Sequence, residues 1–231
     1  TYTVHFDPAY SGAPSIPDQS VTFDAKFGTL PAPKREGYTF AGWFNGTTPV
    51  TTDTVWTTDS GVTLTAHWEV GEAYTITYVG TEAGKNPTQY NVEQAFTLVN
   101  PTREGWTFTG WSGTGLTGED NLTVTVPKGS TGDRTYTAHW KINQYTLTWD
   151  FDGGATVSTA YTSGTIDYGT AITAPEVPTK TGYTFAGWDA EIPATMPAKS
   201  MVIKALWTVN QYTIAFVTDG GTAIAPITQD Y

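Results

Sequence analysis

The chain repeats itself, and that repeat limits what it can fold into more than any other feature. Gly37-Tyr38-Thr39-Phe40-Ala41-Gly42-Trp43 recurs as Gly105-Trp106-Thr107-Phe108-Thr109-Gly110-Trp111 and as Gly182-Tyr183-Thr184-Phe185-Ala186-Gly187-Trp188, the last tryptophans standing 68 and 77 residues apart. A proline precedes each first glycine by four residues (Pro33, Pro101, Pro178), and each block leads into a segment that ends in Trp68, Trp140 or Trp207. The units also open alike, at Tyr2-Thr3-Val4, Tyr74-Thr75-Ile76, Tyr145-Thr146-Leu147 and Tyr212-Thr213-Ile214. A period of roughly 70 residues exceeds the 20 to 50 of solenoids, whose units need neighbours to bury a face, so each unit is expected to be a small autonomous domain. The expected division is 1–71, 72–142, 143–209 and a truncated fourth unit at 210–231. Only Lys141-Ile142-Asn143-Gln144 and Thr208-Val209-Asn210-Gln211 separate a closing tryptophan from the next opening tyrosine, which restricts relative motion.

Within a unit the period is two. Tyr145, Leu147 and Trp149 alternate with Thr146, Thr148 and Asp150, and Met201, Ile203, Ala205 and Trp207 alternate with Val202, Lys204 and Leu206, as half-buried strands require. Second strands are expected near Ser20–Phe27, Gln89–Leu98 and Ile166–Ile172, and Asp152-Gly153-Gly154 and Asp219-Gly220-Gly221 read as tight turns. The proline-rich run before each glycine block reads as an edge or crossing segment. At most a short helical turn is expected in Val50–Ser60 and in Asp189–Ser200. The chain begins in a strand pattern with no apolar leader, and no window reaches the ~18 apolar residues of a membrane helix, so it reads as a soluble, processed or excised piece.

Charge and composition remove whole classes of function. A net charge of −11 leaves no cluster of cations for a phosphate backbone or an anionic membrane surface. Without cysteine there is no disulfide, thiolate nucleophile or Cys-rich zinc site, and three histidines are a small stock for catalysis.

The order Pro-x-x-x-Gly-Tyr-x-Phe-x-Gly-Trp, then Met196-Pro197-Ala198, then a strand ending Ala205-Leu206-Trp207, resembles the Listeria–Bacteroides repeat, also called the internalin B-type repeat. The resemblance runs over essentially the whole chain. It implies tandem β-grasp-like modules of a bacterial surface protein, set in an elongated array between a ligand-binding part and a cell anchor, with no catalytic residues and no cofactor. Unit two departs from the pattern: Trp106 replaces Tyr, the Met-Pro-Ala loop is missing, and Thr81-Glu82-Ala83-Gly84 replaces the Gly-Gly turn.

The repeated aromatics Tyr38, Phe40, Trp43, Trp68, Trp106, Phe108, Trp111, Trp140, Tyr183, Phe185, Trp188 and Trp207 are expected to form the cores of mostly-β domains. Trp56, in a Thr-rich loop, is the candidate ligand contact, followed by Tyr10, Tyr90 and Tyr161, because an exposed ring can stack on a sugar face. His67 and His139 share a repeat position that holds Leu206 in unit three, which argues for packing over chemistry. Asp150, Asp152, Asp219 and the pair Glu119-Asp120 supply too few oxygens for calcium and read as turn formers. The expected function is a non-enzymatic stalk of an extracellular, cell-surface adhesin; the alternative is that the repeats themselves bind a host or matrix protein or glycan. The chain is expected to be monomeric, except that the apolar face of 210–231 should pack on unit three or pair with another molecule.

Overall fold

The computed structural model describes residues 1–156 and 158–231, and among them there are strands and no helix. Val55–Trp56 is strand where a helical turn was conceivable, and it pairs antiparallel with Ala25–Lys26. In Asp189–Ser200 the chain is likewise non-helical, and Thr195 bridges to Ala171. The reason is local: Thr and Pro in both stretches disfavour a helix, and the backbone instead finds partners on the second-strand region of its own unit.

Each unit builds the same four-strand arrangement. The opening strands Tyr2–Asp7, Tyr74–Val79 and Gln144–Asp150 each lie beside a short second strand, Gln19–Val21, Gln89–Tyr90 or Gly164–Asp167, running antiparallel. On its other edge each opening strand pairs parallel with the closing strand, Val62–Val70, Arg134–Ile142 or Met201–Val209. The strands of the glycine blocks, Tyr38–Asn45, Trp106–Gly113 and Tyr183–Trp188, flank the closing strands. A parallel pair at the centre with an antiparallel strand on each side is the β-grasp arrangement without its helix. Unit one adds Thr48–Val50 as a fifth strand.

Compactness divides the chain differently from the repeats: 1–101 with 109–139 form one unit, and 102–108 with 140–231 the other. In the first, Val4, Phe6, Val21, Trp43, Val50, Trp56, Val62, Leu64 and Ala66 make one core. Ile76, Tyr90, Trp111, Val126 and Tyr136 are buried farther along. In the second, Leu147, Trp149, Met196 and Ile203 are the buried centre.

The spacing within the glycine block has a geometric cause. Phe40 and Trp43 are three residues apart and would point to opposite faces of a regular strand. A register shift between Phe40 and Gly42, repeated between Phe185 and Gly187, inserts one extra residue, so the two rings meet 5.4 Å apart and the Phe185 and Trp188 rings 5.2 Å apart. Gly42 and Gly187 take φ of 130° and 123° at this bulge, a region side chains rarely enter.

Not all the repeated aromatics lie equally deep. Trp43 and Trp111 are buried, whereas Tyr38, Phe40, Trp68, Trp106, Phe108, Trp140, Tyr183, Phe185, Trp188 and Trp207 are half-buried at the margin of the cores.

Candidate functional site

The half-buried aromatics surround a turn that recurs in every unit. Tyr38 N–H donates to the Arg35 carbonyl, Trp106 N–H to Arg103 and Tyr183 N–H to Lys180, each at 3.1 Å. The third residue of each turn is the block's first glycine, with φ of 76°, 73° and 80° at Gly37, Gly105 and Gly182, as a type II turn demands. The turn lays the cation over the ring that follows it: Arg35 lies 3.6 Å from the Tyr38 ring centre, Arg103 4.4 Å from Trp106 and Lys180 4.5 Å from Tyr183.

Behind this stack runs a groove. In unit one it holds about 290 Å³ and is lined by Pro33, Arg35, Tyr38, Phe40 and Trp68 among others. Unit three has the matching groove, about 660 Å³, lined by Pro178, Lys180, Tyr183, Phe185 and Trp207. Phe40 meets Trp68 edge-on at 5.4 Å and Phe185 meets Trp207 at 5.6 Å, while the indole N–H of Trp68 donates to Pro8 O and that of Trp207 to Phe151 O. With the indole donors used internally, the grooves offer ring faces and a cation. Unit three's cation is compensated: Lys180 donates to Asp152 O at 2.8 Å, and the Asp152 carboxylate lies 3.0 Å from Lys204. That lysine's hydrogen bond is the main cause that holds Asp152 below the usual carboxylate range. Arg35 has no ion-pair partner among the described residues.

The same turn glycine receives the passage to the following unit. Gly71 N–H donates to Gly37 O at 2.9 Å, Asn143 N–H to Gly105 O at 2.9 Å and Asn210 N–H to Gly182 O at 2.8 Å. Thr107 and Thr184 hydroxyls donate to the side chains of those asparagines at 2.5 and 2.6 Å. A side chain of the incoming unit then sits on the bare Cα: Val92 on Gly37, Tyr168 on Gly105 and Tyr231 on Gly182, so close that a Cβ at any of the three would overlap it. Each link between repeats is thus closed by backbone bonds and by a side chain seated on glycine.

The first link carries a charged network as well. Tyr38 donates its hydroxyl to the Glu93 carboxylate, which also pairs with Lys128. That hydrogen bond, then lost hydration, raises the Tyr38 phenol above its ordinary value of 10.0. Lys128 first, then Tyr38, holds Glu93 below its usual range, and Glu93 raises Lys128 in turn. Glu93, being lowered, contributes above its unfolded pKa and loses its contribution as pH falls through the folded value. The phenol and ammonium, being raised, contribute below their unfolded pKa values and lose theirs as pH rises through the folded ones. The network therefore holds from mildly acidic pH, above the ordinary carboxylate value of 4.5, to mildly alkaline pH, below the ordinary phenol value of 10.0. An NMR titration of Tyr38 should give a midpoint above that of a free phenol, and Glu93→Gln should bring it back down. An unchanged midpoint in that variant would remove Glu93 from the link.

The remaining candidates fall in different places. Trp56 is 7% exposed inside the first core, its indole N–H donating to Ser60 O at 3.1 Å, so its ring has no face for a ligand. Its role is visible in the backbone bonds: Asp24 N–H to Trp56 O and Phe27 N–H to Thr54 O match Gly169 N–H to Met196 O and Ile172 N–H to Ala194 O, so Trp56 fills the place of the buried Met196. Tyr90 is also buried, with its hydroxyl on Gly132 O, and Tyr161 packs against the third core. Tyr161 also borders a shallow pocket with Trp149 and Gly164, and Tyr10 lies edge-on to the groove-lining Trp68 and donates to Lys34 O.

His67 stacks on Phe44 and His5 lies 2.9 Å from Asp18. One arrangement was missed in the sequence: the Ser112 hydroxyl and His139 Nε2 are 2.6 Å apart, with Glu119 3.7 Å from His139 Nδ1. The order resembles a nucleophile, base and acid, but Glu119 is beyond hydrogen-bond reach, and the position matches the Phe44–His67 cross-strand pair of unit one. Asp150 accepts from Asp152 N–H at 2.9 Å as a turn former, Asp219 is exposed, and no group of three or more His, Asp or Glu that could hold a metal occurs among the described residues.

Comparison with known proteins matches the structural repeats. The Listeria-Bacteroides repeat domain matches residues 2–67 and 145–199, and the divergent InlB B-repeat domain matches 74–144. Internalin H of Listeria monocytogenes is 35% identical over 61% of this chain and 24% of its own length. Two proteins of Evansella cellulosilytica described as membrane proteins, the first of them Gly-rich, are 29% and 30% identical over 85% and 74% of the chain, and 25% and 26% of their own lengths. The chain thus spans about a quarter of the length of these curated relatives. No solved structure matches, and among the described residues no helix is long and apolar enough to cross a membrane. With units one and three matching directly and unit two its divergent form, the chain belongs to the Listeria-Bacteroides repeat family.

Proposed function

We propose that this chain is a non-enzymatic stalk segment of a bacterial cell-surface adhesin, holding a distal binding region away from the envelope. One observation carries the reading: the same glycine-seated link joins every pair of consecutive units, so the short linkers are bonded at each passage. A spacer needs such links, because reach depends on the angle between units staying fixed. The relatives named as membrane proteins and an internalin support the surface location. Small-angle scattering of the full chain is expected to give an elongated particle, and a compact particle would count against the spacer.

A second reading, that the repeats bind a host or matrix glycan or protein, is favoured by the groove. The half-buried rings of the groove beside Arg35, which is in no salt bridge among the described residues, suit a sugar or an acidic segment. A glycan and matrix-protein screen should show no saturable binding if the chain is only a spacer. Binding lost in Arg35→Ala with the fold intact would establish the groove as a site.

A further inference from the structure

The seated side chains share a position that residue identity conceals. Facing the opening tyrosines, the pairs are Tyr74 with Tyr90, Tyr145 with Ile166 and Tyr212 with Gln229. Two residues beyond each partner come Val92, Tyr168 and Tyr231, the side chains that occupy Gly37, Gly105 and Gly182. In unit one Tyr2 faces Val21, and the same step reaches Phe23. Phe23 is 52% exposed, whereas Val92, at the same position, is 1% exposed.

We propose that Phe23 and the second strand behind it form a docking surface for another repeat of this family, whose turn glycine Phe23 would cover. Three seated examples define the partner's chemistry: a Gly-Tyr or Gly-Trp turn with an unoccupied Cα and a free glycine carbonyl. A valine and two tyrosines are accepted, so the seat takes an apolar or aromatic side chain of varied size, and phenylalanine is of that kind. A second molecule of this chain does not meet the requirement, since Gly37, Gly105 and Gly182 already carry Val92, Tyr168 and Tyr231. The occupant is a repeat that precedes unit one in the same polypeptide, entering by the linker length seen between units two and three. The inference stands on the link geometry and is independent of the stalk reading.

The test places residues 143–211 directly before Tyr2 of the full chain, which reproduces the Asn-Gln-Tyr passage. Hydroxyl-radical labelling of Phe23 should fall several-fold relative to the original chain. The added linker asparagine amide should exchange at least tenfold more slowly than in the same extended chain carrying Phe23→Asp, while Phe23→Val should keep the protection. Equal labelling of Phe23 in the original and extended chains, with the added sheet's own amides protected, would overturn the proposal. Should the added sheet not be protected, residues 1–71 serve as the added repeat and are read in the same way through Gly37. Shielding of Phe23 by self-association of the original chain would also overturn it, because it would show a partner other than an open glycine turn.

Discussion

Trp43→Ala should unfold the first sheet, at a cost of about 3–5 kcal/mol. The ring is 2% exposed, lies 4.7 Å from Phe6 and donates its indole N–H to Pro31 O at 2.7 Å. Its loss leaves both a cavity and a carbonyl without its donor. A unit of about 70 residues buries too little surface to absorb such a loss, since domains of that size hold only a few kcal/mol. Phe185→Ala should cost roughly half as much, because its ring is half-buried and faces the groove on one side. Denaturation of the full chain followed by amide exchange would rank the two, and the reverse order would place the boundary between core and groove elsewhere.

Gly105→Ala should release the link between units two and three. Two terms act at this position: φ of 73° costs an alanine about 1–2 kcal/mol, and the new Cβ must displace the Tyr168 ring. Gly12→Ala separates them, since Gly12 has φ of 78° and nothing within 4 Å of the added atom. The difference between the two variants reports the ring alone. Faster exchange at the Asn143 amide, which donates to Gly105 O, should accompany Gly105→Ala and be absent from Gly12→Ala. Equal losses in both would mean that the seat contributes nothing beyond backbone conformation.

Much of this architecture can be read from the chain because the units constrain one another. Alternation gives the opening and closing strands, and their recurrence places them in each unit. Parallel pairing of the two follows from no residue pattern; it depends on long-range register. Trp56 misleads because its neighbours are Thr and Asp, the usual company of an exposed loop, while its depth is set by the Asp24 N–H on its carbonyl and the Phe27 ring edge-on to its indole, about thirty residues away. Counting back does not find it either, because Met196 stands eleven residues before Trp207 and Trp56 twelve before Trp68.

The groove is hidden for a different reason. Phe40, Trp68 and their equivalents satisfy the apolar pattern whether they lie fully inside or at a margin, and pattern alone does not measure depth. The links escape because Val92, Tyr168 and Tyr231 have no residue type in common, only a distance from the opening tyrosine's partner. In 210–231, Gln211–Ile214 pairs with Ile227–Asp230 and Tyr231 seats on Gly182. Tyr212 and Ile214 nonetheless stay half exposed, because the strand has no parallel closing partner.

The parallel pairing of opening and closing strands also decides how a unit carries tension. The polypeptide enters along Tyr2–Asp7 and leaves along Val62–Val70, neighbours that run the same way, as do Gln144–Asp150 and Met201–Val209. A pull on the two ends of a unit drags these strands past each other along their length. Four residue pairs, Val4 with Val62 through Asp7 with Thr65, are then loaded together, where an antiparallel hairpin would open one bond at a time. Rupture in shear requires many bonds to fail at once, and resistance to force is governed by the rate of unfolding more than by equilibrium stability. A protein only modestly stable at rest can therefore hold firm under load, provided the pull runs along the chain.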